Sequence, residues 1–206
     1  MGNKFGHDKS QYFYVDDKLV NSEGKSVMMG WERPIMKTVS DIITKRGGDI
    51  LNIGFGMGIV DTYIQETNPK THTIIESHPD VQKKMLSDGW DKKKNVTLHF
   101  NHWQNIIDEL GQFNGIYMDT WYDDVVPYIK PLLDKCLKVG GIFSMWYNPN
   151  EHKQIRKTLN GEYSFEYVEI KNDNLIPEEK EQYENGGYYI NPNRENIIIP
   201  IIKKNL

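Results

Sequence analysis

Residues 50–60 read Ile50-Leu51-Asn52-Ile53-Gly54-Phe55-Gly56-Met57-Gly58-Ile59-Val60, an apolar run emptying into three glycines spaced G-x-G-x-G. A strand that ends in glycines brings backbone amides close to a ligand and opens a helix N-terminus beside it. The next apolar run, Thr73-Ile74-Ile75-Glu76, closes on an acid. A carboxylate about twenty positions beyond the glycines, at the tip of the following strand, is placed to grip a ribose diol. The dinucleotide fingerprint G-x-G-x-x-G needs glycine at 59, where this chain has Ile59. That difference points to S-adenosylmethionine rather than NAD. A tight strand–helix turn without a ligand is the alternative for the glycines alone; Glu76 at the correct interval favours the cofactor.

Outward from this stretch, apolar runs recur at 50–54, 72–76, 96–100, 114–118 and 141–146, with helical patterns at 59–66, 80–87, 104–110 and 125–138. Strand and helix alternating at this rhythm is the signature of a doubly wound α/β sheet. A further helix reads from 28 to 46, entered through Gly30 and Pro34 and stopped by Gly47-Gly48. After a short helix capped at Asn150, runs at 163–170 and 197–202 follow with no helix between, which implies a terminal antiparallel hairpin. Pro200 suits an edge position or a bulge. The fold expected is thus a Rossmann-like, mostly parallel, seven-stranded sheet with an antiparallel C-terminal strand. Residues 1–26 read as an N-terminal arm, its aromatics Tyr12, Phe13 and Tyr14 a lid or docking patch, and 27–206 as one domain. Residues 172–187 read as a charged loop.

The bulk numbers narrow the partners. With 206 residues and a net charge of −4, the chain suits one α/β domain whose field does not favour nucleic acid or an anionic membrane. It has no apolar stretch of membrane-spanning length and no signal-peptide pattern. The single Cys136 sits in an amphipathic helical pattern and reads as a small core residue. A reducing, cytoplasmic setting is expected, and no His/Cys/Asp cluster has metal-ligand spacing.

Two acids stand out. Asn114-Gly115-Ile116-Tyr117-Met118-Asp119-Thr120-Trp121 is a strand ending in an acid at the edge where the glycines lie. Asp119 therefore lies near where a methyl donor would point; a helix cap is its plainer reading. Glu32 stands within Val27-Met28-Met29-Gly30-Trp31-Glu32-Arg33-Pro34-Ile35-Met36. A first-turn acid is explained by the helix dipole, yet three methionines and a tryptophan beside it suit a segment covering a cofactor. Trp103, with Gln104 after it, is placed to lie near a purine ring or to pack the helix that starts there.

These stretches carry a resemblance. The chain is similar to guanidinoacetate N-methyltransferases and their relatives, the fungal arginine δ-N-methyltransferases, from about residue 27 onward. The matching stretches are Val-Met-x-x-Trp-Glu-x-Pro-x-Met at 27–36, Gly-Phe-Gly-Met at 54–57, Ile-Ile-Glu at 74–76 and Asp-Thr-aromatic at 119–121. The resemblance implies that Met28, Met36, Gly54, Phe55, Gly56, Met57, Gly58, Glu76, Ser77, His78, Trp103 and Gln104 hold S-adenosylmethionine. It likewise implies that Glu32 and Asp119 clamp the guanidino group of a small molecule or of a protein arginine. Gln104 departs from the guanidinoacetate pattern, which has an acid there. Trp121-Tyr122-Asp123-Asp124 and Phe143-Ser144-Met145-Trp146 look closer to the arginine enzymes. A non-catalytic binding subunit, or a different amine acceptor, are the rival expectations; two acids facing one pocket suit a cation and argue against both.

Overall fold

The computed structural model describes residues 9–120, 124–171 and 196–205. The expected loop at 172–187 and the stretch Trp121-Tyr122-Asp123 lie outside the described residues. The chain opens with an antiparallel meander, β1 (Tyr12–Val15), β2 (Lys18–Asn21) and β3 (Ser26–Met29). The stretch read as an arm is therefore built of strands, and β3 spans the expected boundary at 26/27. Its turns have local causes. Asp16 takes a left-handed φ of 52°, which a short acid tolerates. Asn21 Oδ1 accepts from the Glu23 and Lys25 amides at 3.0 and 2.9 Å, an Asx-type turn.

The helix expected from residue 28 starts later. Met28 and Met29 pair with Leu19 and Lys18 across β2, so the ladder claims them. A 3₁₀ turn, Gly30–Glu32, then leads into α1 (Arg33–Ile43), with Pro34 in its first turn where its missing amide costs nothing. From here strand and helix alternate: β4 (Asp49–Ile53), α2 (Ile59–Glu66), β5 (Thr71–Ile75), α3 (Pro79–Ser87), β6 (Val96–His99), α4 (Trp103–Ile106), β7 (Phe113–Met118), α5 (Val126–Cys136), β8 (Leu137–Met145) and α6 (Pro149–Thr158). Two long strands finish the chain, β9 (Tyr163–Lys171) and β10 (Asn196–Lys204). The α4 helix is a single turn, shorter than its pattern. The cap of α6 is Asn148, whose Oδ1 accepts from the Asn150 and Glu151 amides, and not Asn150.

The main sheet has the order β6-β5-β4-β7-β8-β10-β9. The first five strands are parallel, and β10 runs antiparallel to both β8 and β9. The edge position expected for Pro200 is not found, since its strand lies between two others and β9 is the edge, but that strand is only partly paired, as a proline requires. The proline is tolerated because β10 meets β8 only at Ile202 and Lys203, beyond it. Across that gap Ser144 Oγ donates to the Pro200 carbonyl at 2.8 Å. Side chains along the central strands alternate between two cores. Leu51, Ile53, Ile116 and Met118 pack with α5 and α6, whereas Ile50, Ile74 and Tyr117 pack with α1 and α2. Cys136 is buried, and burial pushes its thiol up to about 11. No helix among the described residues is long and apolar enough to cross a membrane.

The α1/α2 face also buries polar groups. Asn52 on β4 donates to Asp61 in the first turn of α2 and to the Gly54 carbonyl, each at 2.9 Å. His72 Nε2 on β5 lies 3.1 Å from Asp61, and its Nδ1 faces Gln65 Nε2 at 3.0 Å. Strand order reverses between β4 and β7, and crevices outside the carboxyl ends of strands at such a reversal are where open α/β sheets bind ligands.

Candidate active site

The glycine turn occupies that crevice. Gly54, Gly56 and Gly58 all have left-handed φ values, 93°, 56° and 69°. Gly54 donates to the Ile75 carbonyl at 2.9 Å, while Asp119 donates its amide to Ile53 at 2.9 Å, so the ends of β4, β5 and β7 are tied together. A Cβ at Gly54 would run into the Asp119 carbonyl oxygen. Gly54→Ala is therefore expected to cost about 2–5 kcal/mol of stability through backbone strain and overpacking. A thermal melt of the variant checks this, and an unchanged midpoint would contradict it.

Glu76 closes the turn from the neighbouring strand. Its Oε2 accepts from the Phe55 amide at 2.9 Å and its Oε1 from the His78 amide at 2.7 Å. Burial raises its pKa, against the lowering effect of these amides. Each carboxylate oxygen keeps a further lone pair for an incoming hydroxyl. His78 Nε2 donates to the Ser10 carbonyl at 3.0 Å, and its ring stacks on Tyr12 with centroids 3.7 Å apart. Tyr14 donates its hydroxyl to the Gly56 carbonyl at 2.8 Å. Sequence reading placed these aromatics on an arm; only the folded meander brings them onto the glycine turn.

Most of the expected cofactor residues line one cavity. Met28, Gly54, Phe55 and Gly56 form one wall, Glu76, Ser77 and His78 another, and Trp103 and Asp119 close it. The Met57 amide points at Met28 Sδ, 3.2 Å away, and Gly58 caps α2 beneath Phe55. Neither Met57 nor Gly58 lines the space itself. Met36 is fully buried behind the cavity in the core shared with Tyr117. Gln104 stands beside Trp103 but outside the lining, and among the described residues neither of its buried side-chain polar atoms has a hydrogen-bond partner. Asn101 and Thr120 also line the cavity, unanticipated because nothing in their spacing marks them.

The two acids arrive from different elements. Glu32 closes the 3₁₀ turn, is 6% exposed, and accepts from the Met29 amide through Oε1 at 2.7 Å. Asp119 follows β7, and burial lifts its carboxyl to about 6 while Tyr117 acts to lower it. Both charges bear on one group: the Tyr117 hydroxyl is pushed well above its ordinary value by burial first, then by Asp119 and Glu32. Glu32 does not line the cavity that Asp119 borders, although its charge acts on the Tyr117 hydroxyl.

Comparison with known proteins agrees with this architecture. Solved structures with the same fold include a SAM-dependent methyltransferase from Streptococcus mutans, at a TM-score of 0.60 and 11% identity, covering 96% of this chain and 56% of that one. Another is the O-methyltransferase TomG from Streptomyces achromogenes, in complex with SAM, at 0.58 and 12%, covering 84% and 80%. Among curated proteins, protein arginine N-methyltransferase 2 of Candida glabrata is 37% identical over 87% of this chain and 50% of its own length. Its Saccharomyces cerevisiae counterpart is 36% identical over 89% and 51%. The chain thus spans about half the length of the curated relatives it matches. A family model described as guanidinoacetate N-methyltransferase matches residues 3–176. With most of its length matched in this way, the chain belongs to the guanidinoacetate N-methyltransferase family.

Proposed function

We propose that the chain is an S-adenosylmethionine-dependent N-methyltransferase acting on the guanidino group of an arginine side chain within a polypeptide. The observation that carries this is Asp119 on the cavity under the glycine turn, with a second acid, Glu32, buried outside that lining yet near enough to act on the Tyr117 hydroxyl beside it. The residues present fit the donor. The glycines leave a surface that a Cβ would obstruct, and Glu76 offers spare lone pairs where a ribose diol would sit. Trp103 supplies an apolar wall.

When bound, S-adenosylmethionine supplies an electrophilic methyl group on a sulfonium. The protein's task is then to hold one nitrogen of the acceptor about 3 Å from that carbon with its lone pair aligned. A guanidinium is a planar fork of five N–H donors, and carboxylates accept such a fork by charge-assisted hydrogen bonds. Glu32 orients its far side. Asp119, at the cavity, accepts the proton that the methylated nitrogen loses. Its carboxyl, near 6, lies far below a guanidinium pKa above 12, so the proton leaves with or after methyl transfer and not before.

The polypeptide acceptor is favoured by what the walls lack. A second cleft, sharing Tyr117 with the first, is lined by Ile35, Val39, Met145, Trp146, Tyr147 and the start of β10. Among the described residues, neither cavity presents a lysine or arginine to pair the carboxylate of guanidinoacetate or free arginine. The named relatives are protein arginine methyltransferases. The test is a methyl-transfer assay with labelled donor against guanidinoacetate, free arginine and an arginine-containing peptide, with mass spectrometry of the methylated nitrogen. Preferential labelling of the peptide is expected; turnover of guanidinoacetate alone would reassign the acceptor.

A further inference from the structure

Tyr117 is the one described side chain that lines both cavities. It is 1% exposed, and its ring lies in the core with Ile35, Met36 and Val39 of α1. Its hydroxyl approaches Asp119 without meeting hydrogen-bond geometry, and among the described residues no other group completes a bond to it. A buried hydroxyl with no partner is unfavourable unless a partner arrives. Asp119 borders the same cavity and Glu32 is near enough to act on the hydroxyl, and a phenol can accept and donate at once.

We propose that the Tyr117 hydroxyl is a specificity-determining group of the acceptor site: it accepts one N–H of the guanidinium and donates its own proton to Asp119. The inference rests on the guanidino reading above and deepens it. With three oxygen-bearing groups on the planar fork instead of two, rotation of the guanidinium about its long axis is restricted. Which nitrogen turns toward the donor is then set by the protein. The hydroxyl can play this part because it keeps its proton: burial and both acids disfavour the phenolate. The ionisable groups around it are Asp119, just past the end of its own strand, and Glu32 before α1. Glu76, His78 and Tyr12 line the first cavity with it, and Tyr147 lines the second.

Tyr117→Phe retains the ring and its packing and removes only the oxygen. For an arginine peptide, kcat/KM is expected to fall about 10- to 100-fold, the range of a hydrogen bond to a charged group. The acidic limb of the pH profile should move to higher pH, since Asp119 loses a group that lowers its pKa. Mass spectrometry should find a larger share of product methylated on a second nitrogen. Affinity for S-adenosylhomocysteine should stay within about twofold, because phenylalanine keeps the ring in the cavity wall and only the oxygen is lost. Calorimetry of the arginine peptide on the S-adenosylhomocysteine complex gives a readout without turnover, expected to weaken about tenfold. A pH limb, product pattern and peptide affinity like those of the unmodified chain would overturn the role of Tyr117. An unmodified chain that transfers no methyl yet binds the peptide in a Tyr117-dependent way would overturn the catalytic reading alone. One that neither transfers nor binds would overturn both.

Discussion

Asp119→Asn is expected to lower the methyl-transfer rate about 10²- to 10⁴-fold, the span typical of losing a general base. Affinity for S-adenosylhomocysteine should be retained, because the backbone of Asp119, which donates to Ile53 and crowds Gly54, is unchanged. In the unmodified chain kcat/KM should fall about tenfold per pH unit below about 6, as the carboxylate is protonated, and the variant should lose that limb. Stability moves the other way. A carboxyl raised from 3.8 in the fold contributes stability at low pH, and that contribution is lost as pH rises through about 6. At pH 7–8 the buried charge is a cost, so asparagine should stabilise the fold by about 1–3 kcal/mol. A variant that melts higher at pH 8 and turns over slower separates chemistry from damage. Equal turnover, or a lower melt, would show that Asp119 is not the proton acceptor.

Glu32→Gln is expected to reduce kcat/KM about 30- to 1,000-fold, the effect of removing one charge from a desolvated ion pair. The substitution is informative because of what it spares. Glutamine keeps an oxygen to accept from the Met29 amide, the 2.7 Å bond that ties the 3₁₀ turn to β3. The charge that acts on Tyr117 is lost. The loss should appear mainly in acceptor KM, whereas the Asp119 variant should lose kcat. Steady-state kinetics at saturating donor distinguish these, and a Glu32 variant with unchanged acceptor KM would contradict the clamp.

The alternation of apolar runs was legible because a parallel sheet buried on both faces needs near-continuous apolar strands, and β4, β5 and β7 have them. The glycine turn and Glu76 were legible for a related reason: left-handed backbone and a strand-end acid leave marks in composition. The meander escaped notice because strands of four residues show only two cycles of a period-two pattern. Pro200 misled because a proline records the loss of one amide partner and says nothing of which strand lies alongside. Tyr117 was invisible as a site residue. A tyrosine inside an apolar run looks like core, and it is core; only its hydroxyl, buried and under the influence of Asp119 and Glu32, sets it apart.

The polar chain of Asn52, Asp61, His72 and Gln65 under the glycine turn has a further consequence. Neighbouring apolar strands in a doubly covered sheet can slip by two residues without exposing an apolar side chain, so hydrophobicity alone specifies their alignment weakly. A slip of β5 along β4 would carry His72 away from Asp61 and leave a buried carboxylate short of a partner. The same slip would move Glu76 off the Phe55 amide. These four side chains thus discriminate against misaligned sheets and leave a single pairing free of that penalty. The accuracy of the ligand crevice is decided inside the core, when β4 and β5 first pair.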